Sequence, residues 1–328
     1  MIVGTARIRA VIAGLATAGV AALLAAEEPP PTHSRNPPLF GTATPEEAAA
    51  LADGAVAIEH DRTPARQLAE HRRLSAALAS LGPQRPGKVD AYVVAVALDS
   101  DPVFAREARE AGRVLTRRYA AAGRSVTLAG SDGRDGAPLA MGSPAALATV
   151  LARVAELMDV HEDVLVLYLT AHGAPIGIVY NDGDQGYGAI SPAALWTTLS
   201  MLGIGNRLVL VSACFSGTFV PMLASDTSVI LTASSADRTS FGCRADNDWT
   251  FFGDAMVNHA LRKGQPLARA AAEARATIAG WEKAGDLEPS RPQVSIGAGT
   301  ARWLAALEPA PDGGAPVGRP ATDALEER

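Results

Sequence analysis

Cysteine, lysine and aromatic residues are scarce in this chain of 328 residues. Its two cysteines, Cys214 and Cys243, are too few for a disulfide scaffold. The basic residues are almost all arginine, with lysine at positions 88, 263 and 283 alone, and no basic block is interleaved with aromatic residues. Nucleic-acid binding is therefore not expected. The apolar content of 48% is enough for a full hydrophobic core.

Several motifs that would indicate a metal or a cofactor are also absent. The sequence has no H-E-x-x-H, G-x-S-x-G, P-loop or dinucleotide-binding fingerprint. Residues 181–186 superficially resemble a calcium loop but lack its ligand spacing and its distal glutamate, so a turn is expected there. We expect no cofactor and no metal.

The first residues have the pattern of an export signal. Arg7 and Arg9 precede an apolar stretch over residues 10–26, which is followed by two glutamates and a proline run. The stretch is also at the short edge for a membrane-spanning helix. Residues 1–26 are therefore predicted to be a signal peptide or a membrane anchor. Both alternatives make the protein exported, that is periplasmic, secreted, or attached to the membrane through residues 10–26 and facing outside the cytoplasm.

The remaining chain divides by composition. Residues 27–43 are rich in proline and predict a flexible linker, residues 44–84 an N-terminal helical segment, and residues 308–328 a disordered tail. Between them, residues 85–307 alternate strands with helices, which is typical of an α/β domain with a mostly parallel sheet covered by helices on both faces. Strands are expected at 91–98, 125–128, 164–170, 207–212, 229–232 and 293–296, and helices at 102–121, 144–158, 191–202, 251–262 and 266–284.

Two apolar runs end in reactive side chains. Residues 164–173 end in T-A-H-G, which contains His172 and Gly173, and residues 207–217 end in S-A-C-F-S-G, which contains Cys214. Functional groups of open α/β sheets collect at the carboxyl ends of the strands, so His172 and Cys214 are expected to lie close together. A free thiol has a pKa near ~8.5, and a neighbouring imidazole can take its proton. We expect His172 to be the base, Cys214 the nucleophile, and the backbone N–H groups of Cys214 and Gly173 the oxyanion donors.

A third segment completes a family resemblance. It reads S-S-A at residues 234–236, S-F-G-C at residues 240–243 and F-G-D at residues 252–254. Together with the two strand motifs, this order resembles the legumain family, the asparaginyl endopeptidases of the caspase-like clan, over about residues 89–300. The resemblance implies a caspase-like fold and a cysteine endopeptidase that cleaves peptide or protein substrates through a thioester acyl-enzyme. It also implies a structural role for Cys243.

The resemblance further suggests a substrate pocket. Asp254 and Ser240, with Thr239 beside it, match family positions that help to form the pocket for asparagine, and cleavage after Asn or Asp is therefore expected. Ser212, a further candidate pocket residue, stands where the family has an acid. The family's basic pair after the first strand has no counterpart in residues 98–101, Leu-Asp-Ser-Asp.

Two alternatives remain open at this point. An amine could replace water in resolving the thioester, which would make the protein a transpeptidase or transamidase of the same clan. The chain could also be a catalytically silent binding protein that kept the caspase-like fold. The presence of both His172 and Cys214 argues against the second alternative.

Overall fold

The computed structural model describes residues 33, 37–133, 138–308 and 314–326. The predicted signal or anchor over residues 1–26 lies outside the described residues, as do parts of the predicted linker and tail. Within the described ranges, no helix combines the length and the apolar character that crossing a membrane requires.

A six-stranded sheet forms the centre of the described chain. The strands are β2 (Ala91–Ala97), β3 (Ser125–Leu128), β4 (Val164–Thr170), β8 (Arg207–Ser212), β9 (Ser228–Thr232) and β10 (Gln293–Ile296). Their order in the sheet is β10-β9-β8-β4-β2-β3, and all neighbouring pairs are parallel except β10 with β9.

Both faces of this sheet are covered, since every residue of its central strands β2, β4 and β8 is buried and the side chains are apolar except at strand ends, at Thr170, Arg207 and Ser212. Alternate side chains enter two separate cores: Val93 and Ala95 face one, and Tyr92 and Val94 face the other. This arrangement confirms the predicted mostly parallel α/β sheet with helices on both faces. The helices of the domain are α3 (Pro102–Arg118), α4 (Pro144–Leu157), α5 (Pro192–Met201), α6 (Phe219–Leu223), α7 (Leu267–Ala284) and α8 (Ala301–Leu307).

A second, antiparallel sheet lies beyond the carboxyl end of β4. Its order is β1-β7-β6-β5, and the predicted turn at residues 181–186 joins β6 to β7. Its first strand comes from the N-terminal segment, where the sequence predicted helices alone. The elements are α1 (Pro45–Asp53), β1 (Ala57–Glu59), α2 (Pro64–Ala79), β5 (Gly173–Ala174), β6 (Gly177–Asn181) and β7 (Gly186–Ile190).

The last described segment packs against the domain, although its composition predicts a disordered tail. Residues 314–326 include α9 (Asp323–Glu326). The carbonyl oxygen of Val317 accepts hydrogen bonds from Trp249 Nε1 at 2.8 Å and Asn258 Nδ2 at 3.0 Å. Ala321 N donates to Asp254 Oδ2 at 2.8 Å. These bonds satisfy polar groups of buried side chains. Such contacts favour packing of the segment, and the amino-acid composition of the segment does not reveal them.

A buried glutamate of α3 ties the sheet to the segment that follows β9. Glu107 is fully buried, and its carboxylate accepts hydrogen bonds from Tyr168 Oη at 2.7 Å and Thr170 Oγ1 at 2.8 Å. Its second oxygen accepts from Thr250 N at 2.8 Å. One side chain therefore satisfies three buried donors, two of them on the strand that leads to His172.

We predict that Glu107→Ala lowers the free energy of unfolding by about 3 kcal/mol, because it leaves these buried donors without an acceptor and opens a cavity. Chemical denaturation measures the change. Glu156→Ala is the matched control, since this helix glutamate is 67% exposed and its loss should change stability by less than about 0.5 kcal/mol. Equal stabilities of the two variants would contradict the structural role of Glu107.

Candidate active site

The register of two neighbouring strands brings His172 and Cys214 to one edge of the sheet. Thr170 at the end of β4 pairs with Ser212 at the end of β8. His172 and Cys214 each follow two residues later, so they leave the sheet at the same level. The backbones are also in contact, since a Cβ added to Gly173 would lie 2.0 Å from the carbonyl oxygen of Cys214. Only glycine fits at that position without moving the Cys214 strand.

The chain turns sharply after Cys214. Phe215 has a positive φ of 57°, an unfavourable conformation for a residue with a Cβ, and its N–H donates to the carbonyl oxygen of Arg238 at 2.8 Å. A helical turn begins at Ser216, as the sequence predicted, and continues into α6. The turn holds Cys214 at the end of β8 with its side chain in the cavity described below.

His172 lies against α3. Its Nε2 is 3.5 Å from Asp101 Oδ2, and Phe104 meets its ring edge-on at 5.0 Å between centroids. Burial by itself lowers the pKa of His172, but the hydrogen bond to Asp101 and the negative charges of Asp99, Asp101 and Cys214 outweigh it and raise the pKa above its usual value. The imidazole is thereby biased toward its protonated form.

Cys214 is held by the loop that contains Ser240. Ser240 N donates to Cys214 Sγ at 3.2 Å, and Ser240 Oγ lies 3.6 Å from the same sulfur. Hydrogen bonds from Cys243 and Ser240, together with the positive charge of His172, lower the pKa of the Cys214 thiol to about 6 against the opposing effect of burial. A raised imidazole pKa and a lowered thiol pKa favour the thiolate–imidazolium pair.

The two side chains open into a cavity of about 780 Å³. Thr239 and Ser240, two of the four predicted substrate-binding residues, contribute to its wall. The full lining in the described chain is His33, Pro37, Asp99, Asp101, His172, Val179, Asn181, Cys214, Thr239, Ser240, Phe241, Gly242, Cys243, Arg244 and Ala245.

The other two predicted pocket residues lie elsewhere. Ser212 is 1% exposed, and its Oγ is 2.9 Å from Thr250 Oγ1. Asp254 is fully buried and accepts a hydrogen bond from Asn258 Nδ2 at 2.8 Å and the bond from Ala321 N described above. These buried contacts hold Ser212 and Asp254 in the core, and neither residue lines the cavity.

Sequence reasoning missed an acidic group at the same sheet edge. Asp99 and Asp101 directly follow β2, the strand next to β4, so the argument that located His172 and Cys214 applies to them as well. Asp101 precedes α3, but its side chain makes no capping hydrogen bond with that helix and faces His172 instead. Ligand atoms of Asp99, Asp101 and His33 lie within 4.8 Å of one another, close enough to hold a cation.

Comparison with known proteins gives one family match and a structural neighbour. Residues 145–296 match the Peptidase C13 family model. The match includes His172 and Cys214, confirms the resemblance to legumain-like peptidases and supports a cysteine peptidase-type function that acts on peptide or protein substrates. The structure is also similar to caspase-1 from Spodoptera frugiperda, at 12% identity and a TM-score of 0.42, over 66% of this chain and 92% of that chain. No curated protein matches the chain.

We predict that iodoacetamide alkylates Cys214 rapidly at neutral pH and that the rate falls below a midpoint near pH 6, because the lowered pKa keeps the thiol ionised above it. Mass spectrometry of the modified peptide measures the rate across pH. In His172→Ala the midpoint should rise, since the imidazolium charge is gone. A midpoint near ~8.5 in the unaltered protein would contradict an activated thiol.

Proposed function

We propose that this protein is a cysteine endopeptidase in which His172 and Cys214 form the catalytic dyad. The observation that supports this most strongly is the convergence of an activated thiol and an imidazole on one cavity at the carboxyl edge of the sheet. The Peptidase C13 match supplies the reaction class.

The proposed reaction has two halves. The Cys214 thiolate attacks the carbonyl carbon of the scissile peptide bond, and the tetrahedral intermediate collapses to a thioester as the amine leaves with a proton from His172. Water then attacks the thioester, His172 takes its proton, and the Cys214 thiolate is expelled with release of the acid product. Backbone N–H groups of Cys214 and Gly173 are the proposed donors to the oxyanion.

Two further parts of the proposal rest on the sequence. Export is proposed from the basic and apolar pattern of residues 1–26. The expected preference for Asn or Asp at P1, the substrate residue whose carbonyl is attacked, depended on Asp254 together with Ser240 and Thr239, and Asp254 lies outside the cavity. Thr239 and Ser240 alone do not distinguish an amide from other polar side chains.

We predict that Cys214→Ala abolishes cleavage of a fluorogenic peptide library and that His172→Ala lowers kcat/KM by at least about 10²-fold, the usual contribution of a positioned general base. Initial rates with purified full-length protein measure both. Unchanged thermal unfolding shows that the variants remain folded.

Cleavage by Cys214→Ala would overturn the assignment of the nucleophile. The same assay with an added amine peptide reports transpeptidation as a ligated product, and a folded protein that neither cleaves nor ligates would favour the silent alternative.

Gly173→Ala should lower kcat/KM by about 10²-fold or more, because its Cβ would overlap the Cys214 carbonyl and displace the nucleophile. Gly280→Ala on the exposed face of α7 is the matched control, since a Cβ there meets no atom within 4 Å. Comparable activity of the two variants would show that close contact between the strand ends is not required.

A further inference from the structure

Three carboxylates converge beside the catalytic dyad. Asp99 and Asp101 follow β2, and their side chains are each 1% exposed. Asp184 lies in the turn between β6 and β7. Backbone hydrogen bonds hold the two loops together, from Ser100 N to Asn181 O at 2.9 Å and from Asn181 N to Leu98 O at 3.1 Å. The carboxylates are therefore fixed by the fold.

An imidazole from the N-terminal part of the chain sits among them. His33 Nε2 is 2.6 Å from Asp99 Oδ1 and 3.6 Å from Asp101 Oδ1, and Nδ1 is 3.9 Å from Asp184 Oδ1. The His33 side chain is 9% exposed, and its Nδ1 has no hydrogen-bond partner among the described residues. Burial lowers the pKa of His33, but the bond to Asp99 and the surrounding carboxylate charges raise it overall. The group therefore favours the protonated form of the His33 side chain.

Burial makes the ionised form of these carboxylates unfavourable unless a positive charge or hydrogen-bond donors lie close to them. An ionised carboxylate that is removed from water is costly unless a cation or hydrogen-bond donors compensate it. Asp99 receives one backbone donor, Asp101 N at 2.8 Å. On the wall that follows Cys243, Arg244 lies 3.3 Å from Asp246, so it is engaged by another acid. A second cation that replaced His33 would supply the same compensation.

Asp101 connects this acidic group to the chemistry. One of its oxygens lies 3.6 Å from His33 Nε2, and the other lies 3.5 Å from His172 Nε2. A single carboxylate thus separates the place of the His33 ring from the catalytic base. His33, Asp99 and Asp101 line the same cavity as His172 and Cys214, so the place of the His33 ring lies within the cavity where a substrate carbonyl would meet the thiol.

We propose that Asp99, Asp101 and Asp184 form the P1 subsite of the enzyme and select a substrate Arg or Lys, and that His33 occupies the same subsite in this structure. The inference rests on the proposed peptidase function and names its substrate class. Arginine offers paired N–H donors to the two buried carboxylates, and lysine offers a point charge. An aspartate at P1 would be repelled, and an asparagine would bring no positive charge to the carboxylates.

The test uses the full-length chain and peptides that differ at P1 alone: Arg, Lys, norleucine, Asn or Asp. We expect kcat/KM for Arg or Lys to exceed that for norleucine by at least about 30-fold, the lower range for a buried charge pair. Asp184→Asn should reduce that ratio, and norleucine turnover reports whether this variant is intact. Asp99→Asn should reduce the ratio as well, and its norleucine turnover is expected to fall because the Asp99 charge raises the pKa of His172. Asp237→Asn is the matched control because its side chain is 68% exposed.

Two further measurements distinguish failure of the proposed subsite from failure of the proposed peptidase function. His33→Ala should lower KM for both the Arg and the norleucine peptides, because both P1 side chains enter the place that the His33 ring occupies. Calorimetry with Cys214→Ala should show tighter binding of the Arg peptide than of the norleucine peptide, independently of turnover.

Preference for Asn or Asp, or equal cleavage of Arg and norleucine peptides, would overturn the subsite and leave the peptidase function standing. Loss of the Arg preference on addition of EDTA would also overturn it, since the carboxylates would then hold a divalent ion. Absence of all cleavage would instead reject the peptidase function, and calorimetry would decide the cation subsite separately.

Discussion

The parallel pairing of β4 with β8 is the constraint on which the site depends. Because Thr170 lies opposite Ser212, residues two positions further on each strand must leave the sheet together. Parallel strands need crossover connections, and the helices that make them cover both faces and leave the carboxyl edge open. The contact of Gly173 with the Cys214 backbone fixes the separation of the two strand ends. The placement of His172 and Cys214 at one edge is therefore a consequence of sheet register.

Charge alternates across the cavity and explains how the thiol is activated. Asp101 lies beside His172, and the resulting rise in the imidazole pKa favours the cation that in turn stabilises the Cys214 thiolate. Ser240 N–H adds a fixed donor to the sulfur. The same carboxylate faces His33 on its other side, so the acidic group serves both the base and the proposed cation subsite. One short loop after β2 therefore contributes both to the raised pKa of His172 and to the proposed selection of a substrate side chain.

The N-terminal segment braces that region of the site. β1 adds a strand to the sheet formed by β6 and β7, and Arg62 and Arg66 both contact Asp182 Oδ2, at 2.8 and 2.6 Å. Asp182 lies in the same turn as Asp184. The segment predicted as helical and without chemistry thus supports the turn that carries one of the three carboxylates.

The sequence by itself determined the alternating α/β order and the strand ends at His172 and Cys214, because apolar runs act locally and the rule for strand ends is general. Only the tertiary structure placed Ser212 and Asp254 away from the cavity and Asp101 against His172. The direction of a side chain at a strand end depends on contacts between residues far apart in the chain. The same holds for the segment that hydrogen-bonds a buried polar group. The packing of the C-terminal segment and the position of His33 also depend on such contacts.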